Sequence, residues 1–394
     1  MQEEVLSFSN CTIINQELFF VETQHGLPAR MNPDNGDVSY CNIMENYLLK
    51  KGDIIDDIRT LEGCAYALET SGENIIRFDL EKLQCQHIPL QCAWRKWGNF
   101  VAFEQYGSSF YIFPRYGNKI CIMNIFDNKI SEIFDFFDGI SELQCSCRVG
   151  CKVWLIPCGV AAIGCYDLSK RKMQIYELDR KIDNCVMAVS AEESIYILNR
   201  SGIIYKWDMY ELKLDEVRRI EAENRLDKSL YAKIIYAADK LIILPALADH
   251  IKILDLRDGT IEVYRDYPED FFYYDIEYMK EWTKYQGMCE DDNYYYMAMR
   301  HENYLLKISK GTGMLLWVKP HMPLKKDRIK IQTPLRERTF KKFFEEGERF
   351  FLETYVDIGN FLTEVPQREY IVEKTNIGKE IFEKIKRWHC GGNQ

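Results

Sequence analysis

Cys145, Cys147, Cys151, Cys158 and Cys165 fall within 21 residues, and thiols at that density could hold a metal ion. Structural zinc sites, however, use paired thiols separated by about two to four residues. Cys145 and Cys147 are one residue apart, which on a strand sets both side chains on one face about 7 Å from each other. No His lies near them, so their expected role is that of small buried hydrophobes. The six His (His25, His87, His250, His301, His321 and His389) show no two-His ligand spacing. No Gly-x-Ser-x-Gly elbow, P-loop or dinucleotide fingerprint occurs, so no catalytic residue, metal or cofactor is expected. The acidic doublets Asp56-Asp57 and Asp291-Asp292 carry the groups needed for proton transfer, but they fall in stretches read as loops, where solvated surface is the expected setting.

Recognition chemistry is better represented. Arg and His occur beside aromatics and turn formers in Gln24-His25-Gly26, Arg115-Tyr116-Gly117-Asn118, Asn199-Arg200-Ser201 and Arg300-His301-Glu302, and Trp94-Arg95-Lys96-Trp97 has the same character. A long segment from Tyr267 to Tyr285 adds Phe271, Phe272, Tyr273, Tyr274 and Trp282. Aromatic faces stack on a sugar or peptide, while Arg and His meet a carboxylate or phosphate. The candidate binding residues are therefore His25, Trp94, Trp97, Arg115, Tyr116, Arg200, Tyr273, Trp282, Arg300 and His301.

The elements that must position these residues come from a repeat. An apolar strand, then Asn, Asp or Ser, then a polar turn and a further strand recur at Asn32, Asp79, Asn124, Asp167, Asp208, Asp255 and Ser309, in steps of 41 to 54 residues. Side chains of these types hydrogen-bond the backbone two residues ahead and so close a turn. Runs of five to seven apolar residues bounded by Gly, Asn and Asp signal strands rather than helices. Residues 185–189, 194–198, 203–207 and 214–220 form one four-strand set, and 232–236, 240–244, 251–254 and 260–264 form another. Units of this length, each with four short strands, bury both faces only by packing radially.

In these features the chain resembles the β-propeller superfamily in its broad sense, which includes WD-repeat, kelch and quinoprotein-type propellers. The resemblance spans roughly residues 10–320 and implies an all-β, seven-bladed β-propeller with a short C-terminal α-helical extension. Trp207-Asp208 is similar to the WD dipeptide, but it occurs once and lacks a Gly-His partner, and the blades contain no Gly-Gly doublet. The repeated Asp, Asn and Ser residues fall at third-to-fourth-strand turns on the outer rim, so they are structural rather than a catalytic ring. The resemblance also implies that second-to-third-strand loops share one face with the blade-to-blade connections, around the mouth of a central channel. That face is where the candidate residues belong.

After Pro323 the pattern changes. Phe340, Phe343, Phe344, Phe351, Tyr355, Ile358 and Phe361 recur at helical spacing, and a second helix is expected near Lys379–Trp388. The expected organisation is a propeller over 1–325 and a helical extension over 326–394, docked on or beside it.

A net charge of −10 and a pI near 5.4 argue against nucleic acid or anionic lipid as a general partner, because both are polyanions. No signal-peptide pattern opens the sequence and no run reaches the length of a membrane span. The 14 Cys are read as reduced thiols of a cytoplasmic protein. The expected function is a non-catalytic binding scaffold for a protein, peptide or glycan. The alternative is a lyase or hydrolase acting on a saccharide or peptide at the channel mouth, and a third reading is a subunit of a larger assembly.

Overall fold

The structure, a computed structural model, describes residues 6–42, 44–49, 55–90, 100–116, 119–127, 129–135, 142–221, 230–248, 250–272, 285, 287–300 and 302–346. Blade 1 comprises β1 (Cys11–Ile14), β2 (Glu17–Val21), β3 (Pro28–Met31) and β4 (Val38–Tyr40). Blade 2 comprises β5 (Ile55–Leu61), β6 (Cys64–Glu69), β7 (Asn74–Asp79) and β8 (Gln84–Pro89). Blade 3 comprises β9 (Phe100–Tyr106), β10 (Ser109–Pro114), β11 (Lys119–Asn124) and β12 (Lys129–Asp135). Blade 4 comprises β13 (Leu143–Val149), β14 (Lys152–Pro157), β15 (Ala162–Asp167) and β16 (Lys172–Glu177). Blade 5 comprises β17 (Cys185–Ala191), β18 (Ser194–Asn199), β19 (Ile203–Asp208) and β20 (Lys213–Arg219). Blade 6 comprises β21 (Tyr231–Ala237), β22 (Lys240–Pro245), β23 (Lys252–Asp255) and β24 (Ile261–Val263). Blade 7 comprises β25 (Met288–Glu290), β26 (Tyr294–Met297), β27 (Leu305–Ser309) and β28 (Leu315–Val318).

Each blade is an antiparallel sheet in sequential strand order. The chain is a seven-bladed β-propeller. First strands touch from blade to blade, β1 with β5, then β5–β9, β9–β13, β13–β17 and β17–β21, and β25 with β1. They are therefore the inner ring around the axis.

All seven repeat residues make the expected turns. Asn32 Oδ1 accepts the Asp34 N–H at 2.9 Å, Asn124 Oδ1 that of Phe126 at 2.8 Å and Asp255 Oδ1 that of Arg257 at 2.9 Å. Asp79, Asp167, Asp208 and Ser309 accept N–H groups two or three residues ahead in the same way. Hydrogen bonds to the ionised form hold Asp167, Asp208 and Asp255 below the usual carboxylate range, Asp255 at about 2 with Arg257 as the leading cause. On the same face as these turns, first-to-second-strand hairpins such as Asn15-Gln16 and Ala238-Asp239 adopt positive φ at both positions, the mirror-image turn that matches strand twist.

The core lies between blades. Trp154, Ile163 and Cys165 of blade 4 meet Ile195, Tyr205 and Trp207 of blade 5, and Trp207 is fully buried. Burying each such side chain contributes about 1.5–3 kcal/mol. Cys145, Cys147 and Cys165 are buried in this layer, while Cys151 and Cys158 are partly exposed. Among the described residues, no group of three or more His, Cys, Asp or Glu is placed to hold a metal ion.

The helix α1 spans Lys325–Glu346, so it starts well before the Phe-rich stretch in which a helix was expected. Among its described side chains the buried ones are Arg328, Gln332, Leu335 and Thr339, a helical stripe with one apolar member among those described. Polar contacts seat it. Arg328 Nη1 donates to His25 Nε2, Thr339 Oγ1 accepts the Leu49 N–H at 2.9 Å, and Arg338 Nη1 donates to Met44 O at 2.5 Å. Pro334 lies inside the helix, where it removes one backbone donor. The second expected helix and the chain beyond 346 lie outside the described residues, and no helix among those described is long and apolar enough to cross a membrane.

Candidate functional site

First strands begin at the face that carries the blade-to-blade connections and the second-to-third-strand loops. Near that end, most of them slip register. Pairing skips Asp56 in β5, Val101 in β9, Gln144 in β13, Val186 in β17 and Ala232 in β21. A bulge of this kind re-aims the extra side chain. Gln144 shows the structural use of the position. Its amide oxygen accepts the Cys185 N–H at 2.6 Å, and its NH2 donates to Pro157 O at 2.9 Å and Ile182 O at 2.8 Å. A neutral side chain thereby ties blade 4 to blade 5.

Asp56 occupies the same position in blade 2, and its carboxylate accepts the Phe100 N–H at the start of blade 3. The acidic doublet is therefore strand rather than the solvated loop expected from sequence. Asp disfavours strands intrinsically, but here the bulge and the inner ring override that preference. Asp291, of the other doublet, does sit in a turn, where it accepts the Asn293 and Tyr294 N–H groups at 2.7 Å each.

The charge on Asp56 is not needed to tie blades, since Gln144 does so without one, and it is placed among other charges. Asp56 and Asp57 of blade 2 share a field with Lys233 of blade 6 and Arg115 of blade 3, and Arg59 and Glu104 join the same group. Blades 2 and 6 are not neighbours in a ring of seven, so these side chains act on one another across the axis of the ring. Asp57 is paired with Arg59 at 2.6 Å and Glu104 with Arg148 at 3.1 Å. Among the described residues, Asp56 and Lys233 form no ion pair, and Arg115 donates to Gln144 O at 3.2 Å rather than to a carboxylate. Desolvation, then the neighbouring Asp57, pushes Asp56 up to about 7, and desolvation pushes Lys233 down to about 8. Burial also raises Asp57, against the pull of Arg59.

The residues expected to bind have varied fates. Arg115 reaches the channel group, and Tyr116 beside it is exposed, with its backbone bridged to Glu142. Arg200 is exposed on the same face, its N–H bound to Asn184 O at 2.8 Å. His25 is buried under α1, its Nδ1–H donating to Glu22 Oε2 at 2.9 Å while Nε2 faces Arg328. Arg300 is buried too, and its carbonyl accepts the Ser7 hydroxyl at 3.2 Å. Trp94, Trp97, Tyr273, Trp282 and His301 lie outside the described residues. In the long connection after blade 6, Phe271 packs on Trp317 with ring centroids 4.8 Å apart. Sequence reasoning passed over Asp56, Asp57, Arg59, Glu104 and Lys233. The available signal was a Lys inside the apolar run Tyr231-Ala232-Lys233-Ile234-Ile235, with charges at comparable depth in other first strands.

No family model and no curated protein matches the chain. Solved structures match its fold. PorZ, an essential bacterial surface component of the type-IX secretion system of Porphyromonas gingivalis, aligns with a TM-score of 0.53 at 10% identity, over 82% of this chain and 39% of PorZ. The extracellular domain of a putative one-component system from B. thetaiotaomicron aligns with a TM-score of 0.55 at 9% identity, over 82% of this chain and 42% of that one. The computationally designed Ika8 protein gives 0.52 at 9% identity, over 82% and 89%. The chain thus spans about two fifths of the length of the two natural proteins, and identities this low establish the propeller fold alone.

Proposed function

We propose that the chain is a non-catalytic binding module that receives a carboxylate-bearing group of a protein, peptide or glycan at the channel mouth. The observation that carries this reading is the incomplete pairing of the channel charges. Lys233 and Arg115 share the field of the channel group without a carboxylate ion-pair partner among the described residues, while Asp56 is an ionisable group where its structural position requires none. An incoming carboxylate would complete the cations, and a donor beside it would meet Asp56. Tyr116 and Arg200 extend the surface around the mouth, and the unplaced candidates Trp94, Trp97, Tyr273, Trp282 and His301 belong to the same proposed face. Thermal-shift screening of short peptides and acidic oligosaccharides tests it. Stabilising compounds should bind roughly tenfold or more weakly to Lys233→Met and Arg115→Ala. Unchanged affinity in both variants would remove the site.

One observation favours a second reading. A carboxyl near 7 in the field of an amine near 8 also has the titration range of an acid–base pair, as a lyase or hydrolase would need. Multiple-turnover product from a saccharide or peptide panel, lost in Asp56→Asn, would select it. A cytoplasmic setting stays part of the proposal, supported by the free thiols of the described residues. The natural proteins of similar fold are surface or extracellular domains, and the thiol state of protein recovered from its source decides between these settings.

A further inference from the structure

Every blade is built from four consecutive strands, so the first and last blades share no strand. Their seam is closed by other contacts. The Phe8 N–H donates to Met299 O at 2.6 Å, the His321 N–H to Gly36 O at 2.8 Å and the Val38 N–H to His321 O at 3.1 Å. Lys307 Nζ meets Asp34 Oδ1 at 2.6 Å. Between these contacts, on the adjoining inner strands β1 and β25, Cys11 Sγ and Cys289 Sγ lie 3.1 Å apart. A disulfide needs about 2 Å, so a shift of about 1 Å joins them. We infer that Cys11 and Cys289 are an oxidisable pair whose disulfide staples the first blade to the last.

The two thiols differ in access. Cys11 is buried, whereas Cys289 is partly exposed and lies in the field of Arg59 in the channel group. Of the two, Cys289 is therefore the thiol that a small reagent meets first. Burial holds the Cys289 thiol well above its ordinary range, which keeps the thiolate scarce and makes the pair slow to react. The oxidant is a low-molecular-weight disulfide. The Cys289 thiolate attacks one of its sulfurs, forming a mixed disulfide and releasing one small thiol. The Cys11 thiolate then attacks the Cys289 sulfur and displaces the second small thiol. The net change is two protein thiols and one small disulfide giving one protein disulfide and two small thiols, with both protons on the released thiols. A second thiol pair, Cys145 with Cys185 between blades 4 and 5, is hydrogen-bonded, but both residues are buried, so the same reagent has no route to it.

The test treats the full chain, native and reduced, with oxidised glutathione, followed by intact mass measurement and non-reducing digestion. The expected product has lost two hydrogens, yields a peptide linking Cys11 to Cys289, melts several degrees higher because a long loop is closed, and reverts with dithiothreitol. Cys289→Ser should lose both the link and the melting shift. A glutathione adduct that persists on Cys289, a link confined to Cys145–Cys185, or no reaction at all under native conditions would overturn the inference.

Discussion

Replacing Asp56 by Asn isolates the charge of the channel carboxylate, because the amide oxygen can still accept the Phe100 N–H, as Gln144 does for Cys185 in blade 4. Burial raises Asp56 from 3.8 to about 7. A carboxyl raised in this way adds stability that is fully present below its unfolded value and is lost as pH rises through the folded one, since the native state holds the extra proton in between. Three units at about 1.4 kcal/mol each set an upper bound of about 4 kcal/mol. Asp56 is partly exposed, and solvent screening lowers the expected effect to about 2 kcal/mol. Lys233 slopes the other way. Its folded value of about 8 lies below the unfolded one, so its contribution is present above the unfolded value and is lost as pH falls through about 8. Both contributions are absent between about 7 and 8, where these groups cost the fold most. Denaturant unfolding of wild type and Asp56→Asn from about pH 4 to about pH 8 provides the assay. The variant should gain little at the acid end and about 2 kcal/mol at the upper end, with the gain growing across the window. A difference independent of pH, or a variant less stable than wild type at about pH 8, would refute the reasoning.

Lys233→Met should stabilise the fold by about 1–2 kcal/mol near neutrality, measured by the same unfolding, because it removes a desolvated cation that has no ion-pair partner among the described residues. Arg328→Ala should cost about 2–4 kcal/mol by leaving His25 and Glu22 buried beneath α1 without their cation, and limited proteolysis should then cut ahead of Lys325. Gly36→Ala should cost about 2–3 kcal/mol, because φ is +82° and a Cβ there would stand 2.0 Å from Lys319 O. The loosened seam should also make Cys11 react faster with thiol reagents in the native state.

The architecture was legible because one turn chemistry recurs seven times and serves one local purpose. The oxygen of Asn32 or Asp255 contacts residues only two or three positions away, so sequence spacing alone locates it. The seating of α1 was not legible, for the opposite reason. Its buried stripe of Arg328, Gln332, Leu335 and Thr339 has little apolar signal, and its partners His25 and Leu49 lie some 290 to 303 residues away in sequence. Phe340, Phe343 and Phe344 do fall within α1, while the rest of the expected Phe-rich helix lies outside the described residues. Of the channel group, Arg115 drew attention by its loop composition, and it lies in the field of Asp56 and Lys233. Asp56 was set aside as solvated loop and Lys233 was passed over, because their placement comes from closure of the ring, which brings blade 2 opposite blade 6. The register slip that aims Asp56 has no mark of its own in the sequence. His25 and Arg300, residue types suited to recognition, are here buried beneath α1 and at the seam between blades 1 and 7, a placement that loop composition does not announce.

A crystal structure of the protein with the tightest carboxylate compound from the thermal-shift panel bears most directly on the binding reading. Its carboxylate should lie within hydrogen-bonding reach of Lys233 and Arg115, with Asp56 facing its nearest donor. Density for the compound at the outer-rim turns or at the opposite end of the channel, with the mouth empty, would contradict it.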